Sequence, residues 1–294
     1  MLKKIALGLV VSAALLIALI SYALQDNPAR PAVGTAKVVD NGGIQIEYFI
    51  SGDPDTSKET LVLQASYARS GSDFNELVAE LNIHGYRTLI MQARGIDGSE
   101  LPSLQTNLFD YAGDLAAVLD SEGLSQPVTL IGHAFGNRIA RTFASNYPDR
   151  VRSLVLLAAG DSAPPAETRD AILKVLFNLW PQSTRAAALQ QAFFAPQQQA
   201  PDYWMSGWYP KAGLAQGTAT ASTPTREWTH GGNAPMLIVQ PQYDAAAAEG
   251  AAKLLANYPE RVTVVKLANA GHAILPEQPA IVTQLIIDHL KQRP

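Results

Sequence analysis

Short apolar runs constrain this chain more than any other feature: TLVLQA (60–65), RTLIMQ (87–92), VTLIG (128–132), SLVLLAA (153–159), PMLIVQ (235–240) and VTVVKLA (262–268). A strand with one wet face alternates apolar and polar residues. These runs do not, so both of their faces must be covered, as in the centre of a parallel sheet. The stretches between them have helical spacing. Phe74, Leu77, Val78 and Leu81 recur at three and four residues, as do Ile139, Ala140, Phe143 and Ala144, and later Ile281, Leu285 and Ile286. Strands of this kind alternating with amphipathic helices predict an α/β fold, a mainly parallel sheet with helices on both faces. GIQIEYFI (43–50) alternates in its first half and reads as an edge or half-buried strand. With 294 residues, 47% of them hydrophobic, the chain can bury one sizeable core.

Two regions break the rhythm. Residues 161–232 contain no clear strand, are rich in Pro and Gln, and hold every tryptophan: Trp180, Trp204, Trp208 and Trp228. Such an insertion between sheet strands predicts a helical lid over the C-terminal sheet edge, where open α/β sheets bind ligands. Trp204 and Trp208 are candidate pocket residues; the alternative is that the rings only pack the lid onto the body. At the other end, Lys3 and Lys4 precede an uncharged apolar run from Ile5 to Leu24. Residues 1–24 read as a secretory signal peptide, with Ser21 and Ala23 as small residues at a cleavage site, or as an uncleaved membrane anchor; a buried globular helix is the third reading. The leading lysines place the N-terminus in the cytoplasm and the rest outside, periplasmic or extracytoplasmic, free or tethered to the membrane. Residues 25–36 then read as a Pro/Gly tether and 37–294 as the folded domain.

Composition removes several function classes. There are 26 acidic against 22 basic residues, a net charge of −4 and no basic stripe, which argues against nucleic acid. The absence of cysteine excludes disulfides, thiolate metal sites and a cysteine nucleophile. No closely spaced metal ligands and no phosphate-cradling glycine pattern occur, so neither a metal nor another cofactor is expected. A small molecule is the expected partner.

The most specific local motif is GHAFG (132–136), at a strand-to-helix junction. A residue at the centre of so sharp a turn is forced toward positive φ, and Gly132 and Gly136 let strand and helix approach each other. ARGIDGS (93–99), QPQYD (240–244) and NAGHAILPEQP (269–279) follow other apolar runs. In this order the four motifs resemble the α/β-hydrolase superfamily over residues 40–292. The resemblance implies His272 as general base, oriented by Asp244, with Asp161 as the runner-up acid. It implies oxyanion donors in the backbone amides of Tyr67 and Phe135. Of the other histidines, His84 and His289 are expected at the surface, and His133 in packing.

The family's nucleophilic serine belongs at the centre of the turn, where this chain has Ala134. Alanine has no oxygen, so no acyl-enzyme can form on it. The departure is not isolated. Ser66 stands where relatives have the Gly of a His-Gly pair, Gln92 where an acid is frequent, and Asn137 and DAAAAEGAA (244–252) also deviate. Ser66 is a candidate substitute nucleophile, against its reading as an ordinary turn serine. Two functions follow. One is hydrolysis of a small ester, lactone or similarly activated substrate by a His272–Asp244 general base without a serine nucleophile. The other is a catalytically degenerate hydrolase fold that binds a small apolar ligand. The elbow itself discriminates: a strained Ala134 means a preserved amide-lined site, a relaxed one a pocket that has been let go.

Overall fold

The computed structural model describes residues 2–55, 57–103, 105–247 and 250–292, with backbone alone for 2–8. Its strands are β1 (Thr35–Asn41), β2 (Ile44–Ser51), β3 (Thr60–Gln64), β4 (Arg87–Met91), β5 (Val128–His133), β6 (Val151–Leu157), β7 (Met236–Tyr243) and β8 (Val262–Gly271). They form one sheet in the order β1-β2-β4-β3-β5-β6-β7-β8. The β1–β2 and β2–β4 pairs are antiparallel and all others parallel. The helices are α1 (Leu2–Ala23), α2 (Asn75–Ile83), α3 (Leu108–Ser121), α4 (Phe135–Asn146), α5 (Ala166–Leu176), α6 (Gln182–Phe193), α7 (Pro210–Ser222), α8 (Gly250–Asn257), α9 (Ile274–Glu277) and α10 (Pro279–Lys291).

Successive side chains of a strand point to opposite faces, so a continuous apolar run feeds two cores at once. In β3, Leu61 and Leu63 join Leu77, Val78 and Leu81 of α2 and Val282 and Ile286 of α10. Val62 between them joins Leu115 and Leu119 of α3 and Ile139 and Phe143 of α4 on the other face. Each such leucine, fully removed from water, contributes roughly 2 kcal/mol. His289 lies three positions after Ile286 on the same face of α10 and is buried, not at the surface as the sequence suggested. His84, at the end of α2, is exposed.

The alternating strand is not at the edge. β2 pairs with β4 on one side and with β1 on the other, and β1, unseen in the sequence reading, forms the rim. β1 starts at Thr35, inside the expected tether, and is mostly exposed, so its side chains carry little apolar signal. The rest of that stretch lies against the body. Asn27 forms an isolated antiparallel bridge with Trp208, and Arg30 pairs with Glu76 at 2.6 Å. A Pro/Gly composition reads as a loose linker; these tertiary partners hold it.

Between β6 and β7 the chain builds α5, α6 and α7 with their own small core, including Val175, Leu189, Phe193, Trp204 and Trp208. This insertion is the lid. α1 leaves Leu9, Val10, Leu15, Leu16, Ile17, Leu19 and Ile20 exposed. Among the described residues no helix is long and apolar enough to cross a membrane. The side chains of Lys3 and Lys4 lie outside the described residues.

Candidate active site

β5 ends at His133, and α4 begins two residues later, so Ala134 alone turns the chain. It has φ +48° and ψ −108°, a conformation that L-residues avoid and that costs about 1–3 kcal/mol. The surroundings enforce it. A Cβ on Gly136 would lie 1.9 Å from the Gln64 carbonyl oxygen, and one on Gly132 would lie 2.6 Å from the Asn137 amide. The Ala134 amide donates to the Leu157 carbonyl of β6 at 3.0 Å. Asn137 returns to the elbow, its backbone and side-chain amides both donating to the Ala134 carbonyl. Among the described residues the other non-glycine positions at positive φ are Ala68, Asp97, Ala158 and Asn269, in the loops or strand ends beside β3, β4, β6 and β8. Strain is therefore spread along the sheet edge at which the elbow stands, as is common where a fold positions chemistry.

The close approach of Gly136 to Gln64 joins the start of α4 to the end of β3. Past that junction the amides of Tyr67 and Phe135 donate to no described acceptor. Tyr67 is partly buried, and burial, opposed by Arg138, pushes its phenol up to about 12. Ser66 is buried; its carbonyl accepts the Arg69 amide at 3.2 Å, and its hydroxyl makes no described hydrogen bond.

His272 follows directly on β8, and its Nδ1 donates to Oδ1 of Asp244, just past β7, at 2.9 Å. Burial alone would raise the Asp244 carboxyl. The His272 ring and the amides of Ala246 and Ala247, at 3.0 and 2.8 Å, outweigh it and hold the group below the ordinary carboxylate value. The carboxylate fixes the imidazole tautomer and leaves Nε2, which carries no described hydrogen bond, as the proton acceptor. Asp161 instead pairs with Lys253 at 3.1 Å.

His133 ties this pair to the elbow. Its Nε2 donates to the His272 carbonyl at 2.8 Å, and the two rings stand 5.5 Å apart. Burial, and the neighbouring His272, push its imidazole down to about 4, so the ring is neutral and serves as a fixed donor. Glu277 secures the other side of the loop by accepting the Gly271 and Ala195 amides at 2.6 and 2.7 Å.

Trp204 and Trp208 are fully buried and meet edge to face at 6.2 Å. Among the described residues no ring contact joins them to His272: Phe193, unforeseen in the sequence, packs against both and has its ring 5.8 Å from the His272 ring. Beneath them the Arg69 guanidinium lies 4.4 and 4.7 Å from the two indoles and pairs with buried Asp73 at 2.6 Å. Gln92 bonds the Gly71 amide, Ser70 and Asp97, and Tyr209 of the lid bonds the same aspartate. The S-G-S-D spacing after Arg69 was the available signal for this network, but only the fold brings Gln92 and the lid to it. His272 and Ala134 retain 6% and 8% exposure, and Phe193 of the lid lies against the His272 ring.

This elbow, with a histidine–carboxylate pair at the ends of neighbouring late strands, defines a class, and residues 59–279 match the family described as alpha/beta hydrolase fold. The chain belongs to the alpha/beta hydrolase fold family. It is similar to epoxide hydrolase B of Mycobacterium tuberculosis, 28% identical over 121 residues, which are 40% of this chain and 34% of that one. It is also similar to a 2-hydroxy-6-oxononadienedioate/2-hydroxy-6-oxononatrienedioate hydrolase of Paraburkholderia phymatum, 29% identical over 147 residues, 48% of this chain and 50% of that one. The matches thus span a third to a half of these relatives' length. The enol-lactonase of Burkholderia xenovorans LB400 shares the fold, with a TM-score of 0.70 at 20% identity over 87% of this chain and 100% of that chain.

Proposed function

We propose that the protein hydrolyses a small ester, lactone or similarly activated carbonyl compound without a covalent intermediate. The observation that carries this reading is the buried His272–Asp244 pair, bonded at 2.9 Å and tied through the His272 carbonyl to His133, next to an elbow that keeps its strain without a nucleophile. His272 Nε2 takes a proton from water, and the resulting hydroxide adds to the carbonyl carbon. The oxyanion is met by the amides of Tyr67 and Phe135. The C–O bond to the leaving group then breaks, and the His272 proton passes to the departing alkoxide. Asp244 stabilises the imidazolium between the two transfers. A general base contributes about 10² to 10⁴ in rate, enough for a substrate that is already activated.

The test is hydrolysis of p-nitrophenyl butyrate and γ-butyrolactone by the purified full chain. His272→Ala is expected to lower the rate by about 10² to 10⁴, with Ser66→Ala unchanged. An unchanged rate in His272→Ala refutes the mechanism; abolition by Ser66→Ala transfers the nucleophile to Ser66. The apolar ring of Phe193 against His272, backed by Trp204 and Trp208, favours a second reading, binding of a small apolar ligand without turnover. Recovery of such a ligand from wild-type protein that turns over neither substrate selects it. The proposal also places the domain outside the cytoplasmic membrane, held or delivered by its N-terminal apolar run behind Lys3 and Lys4.

A further inference from the structure

Where α1 meets the lid, a cavity of about 450 Å³ is lined by residues that include Tyr22, Asn178, Trp180, Arg185, Asp202 and Ser206. None of these belongs to the hydrolytic machinery. Arg185 gives Nη2 to the Val175 carbonyl at 3.0 Å, while its buried Nε has no partner among the described residues. Burial pulls the guanidinium below its ordinary value, with Tyr22 opposing. Asp202, exposed at the cavity, has no described hydrogen bond or ion pair.

The surroundings identify the medium. From Leu9 to Tyr22 the large apolar side chains of α1 are between 48% and 69% exposed, and the helix meets the body at its end. There Ala23 is buried, and Asn178 donates its backbone amide to the Ala23 carbonyl at 3.4 Å and its side-chain amide to the Gln25 carbonyl at 2.8 Å. A helix with this much uncovered apolar surface calls for an apolar medium, and a lipid surface supplies it. Tyr22 and Trp180, amphipathic rings at the end of the apolar stretch, suit the headgroup level.

A cavity at that level with one cation and one anion is complementary to a zwitterion. An anionic headgroup would meet Asp202, and a simple cation would meet Arg185. We propose that this cavity binds the zwitterionic phosphodiester headgroup of a membrane lipid, its phosphate on Arg185 and its ammonium on Asp202 beside the Trp180 and Tyr22 rings. The lid is thereby seated on the membrane at Asp202–Ser206, the segment that also contains Trp204. The inference is independent of the hydrolytic reading, since it concerns lipid contact and no reaction.

The test uses the full chain, purified in dodecyl maltoside and diluted well below the detergent's critical micelle concentration on addition to vesicles, with tryptophan emission as the readout. Trp204, Trp208 and Trp228 are each 1% exposed, so Trp180 is the ring that lipid can reach, and Trp180→Phe should remove the response. Phosphatidylethanolamine vesicles are expected to shift the emission at concentrations at which phosphatidylglycerol vesicles do not. Arg185→Gln should weaken binding about tenfold or more, as expected for one lost charge-assisted hydrogen bond. Equal binding by Arg185→Gln, or equal response to phosphatidylglycerol, overturns the proposal. Soluble glycerophosphoethanolamine acting as strongly as the vesicles overturns the lipid as the source. If Arg185→Gln fails to fold, Asp202→Asn at its exposed position decides: it should erase the preference for phosphatidylethanolamine, and a retained preference overturns the proposal.

Discussion

Replacing His133 with glutamine should flatten the dependence of stability on pH between 7 and 5. In the fold His133 is completely buried and its imidazole is pushed down from 6.5 to about 4. Between those values the unfolded chain binds a proton that the native protein refuses, so stability falls as pH falls. The sign follows from the depressed native value: the contribution is complete above pH 6.5 and lost as the pH drops through about 4. The whole window corresponds to about 3 kcal/mol, and the span from pH 7 to 5 to about 2 kcal/mol. Glutamine does not titrate, and its amide can still donate to the His272 carbonyl that His133 holds at 2.8 Å. Urea unfolding of both proteins at half-unit intervals from pH 7 to 5 gives the comparison as a difference of slopes, in which any constant offset of the variant cancels. Asp244 does not intrude, because its carboxyl, held below its ordinary 3.8, titrates beneath this range. Parallel curves, within about 0.5 kcal/mol over a span where about 2 is expected, would refute the buried neutral histidine and its role as a pin between the elbow and the His272 loop.

Gly136→Ala should cost about 3 kcal/mol or more in chemical denaturation, because its methyl would press on the backbone carbonyl of Gln64, which cannot turn away. Arg69→Met should lose about 3–5 kcal/mol by leaving Asp73 buried and unpaired, whereas Arg69→Met combined with Asp73→Leu should recover most of it. A double-mutant cycle measures the difference; an additive pair would show that the ion pair is not the coupling. Asp244→Asn should reduce hydrolysis by up to about 10⁴ with little change in KM, since it disturbs the imidazole that the carboxylate orients without touching substrate. Ala134→Ser should raise turnover of p-nitrophenyl butyrate and give a burst of p-nitrophenol, read by stopped flow, if the elbow projects its side chain toward His272.

Much of the fold was legible because its strands are covered on both faces. Runs such as VTLIG and PMLIVQ cannot be stable with a wet face, so they announce a central parallel sheet without help from any distant residue. β1 could not be read this way: its exposed TAKVVDN carries no strong pattern and becomes a strand through its backbone pairing with β2. Residues 25–34 look like a linker for the same reason, their order coming from Glu76, Asn75 and Trp208, all remote in sequence. His289 was misplaced because a polar residue near the end of a terminal helix suggests solvent, whereas the helix carries it onto the buried face shared with Ile286.

The site divides similarly. The sequence by itself determined that an elbow flanked by glycines has no nucleophile at its centre, since identity alone decides that Ala134 lacks an oxygen. It also determined which histidine follows a late strand and which aspartates compete for it. Only the tertiary structure decided that Asp244 and not Asp161 reaches His272, that His133 bonds the His272 loop, and that Phe193 stands between the tryptophans and the imidazole. Strand runs and turn glycines act over a few residues, within which local sterics and periodic burial dominate. The hydrogen bonds that hold His272 to Asp244 and to His133 join residues 28 and 139 positions apart, and nothing local distinguishes the partner chosen from the one passed over.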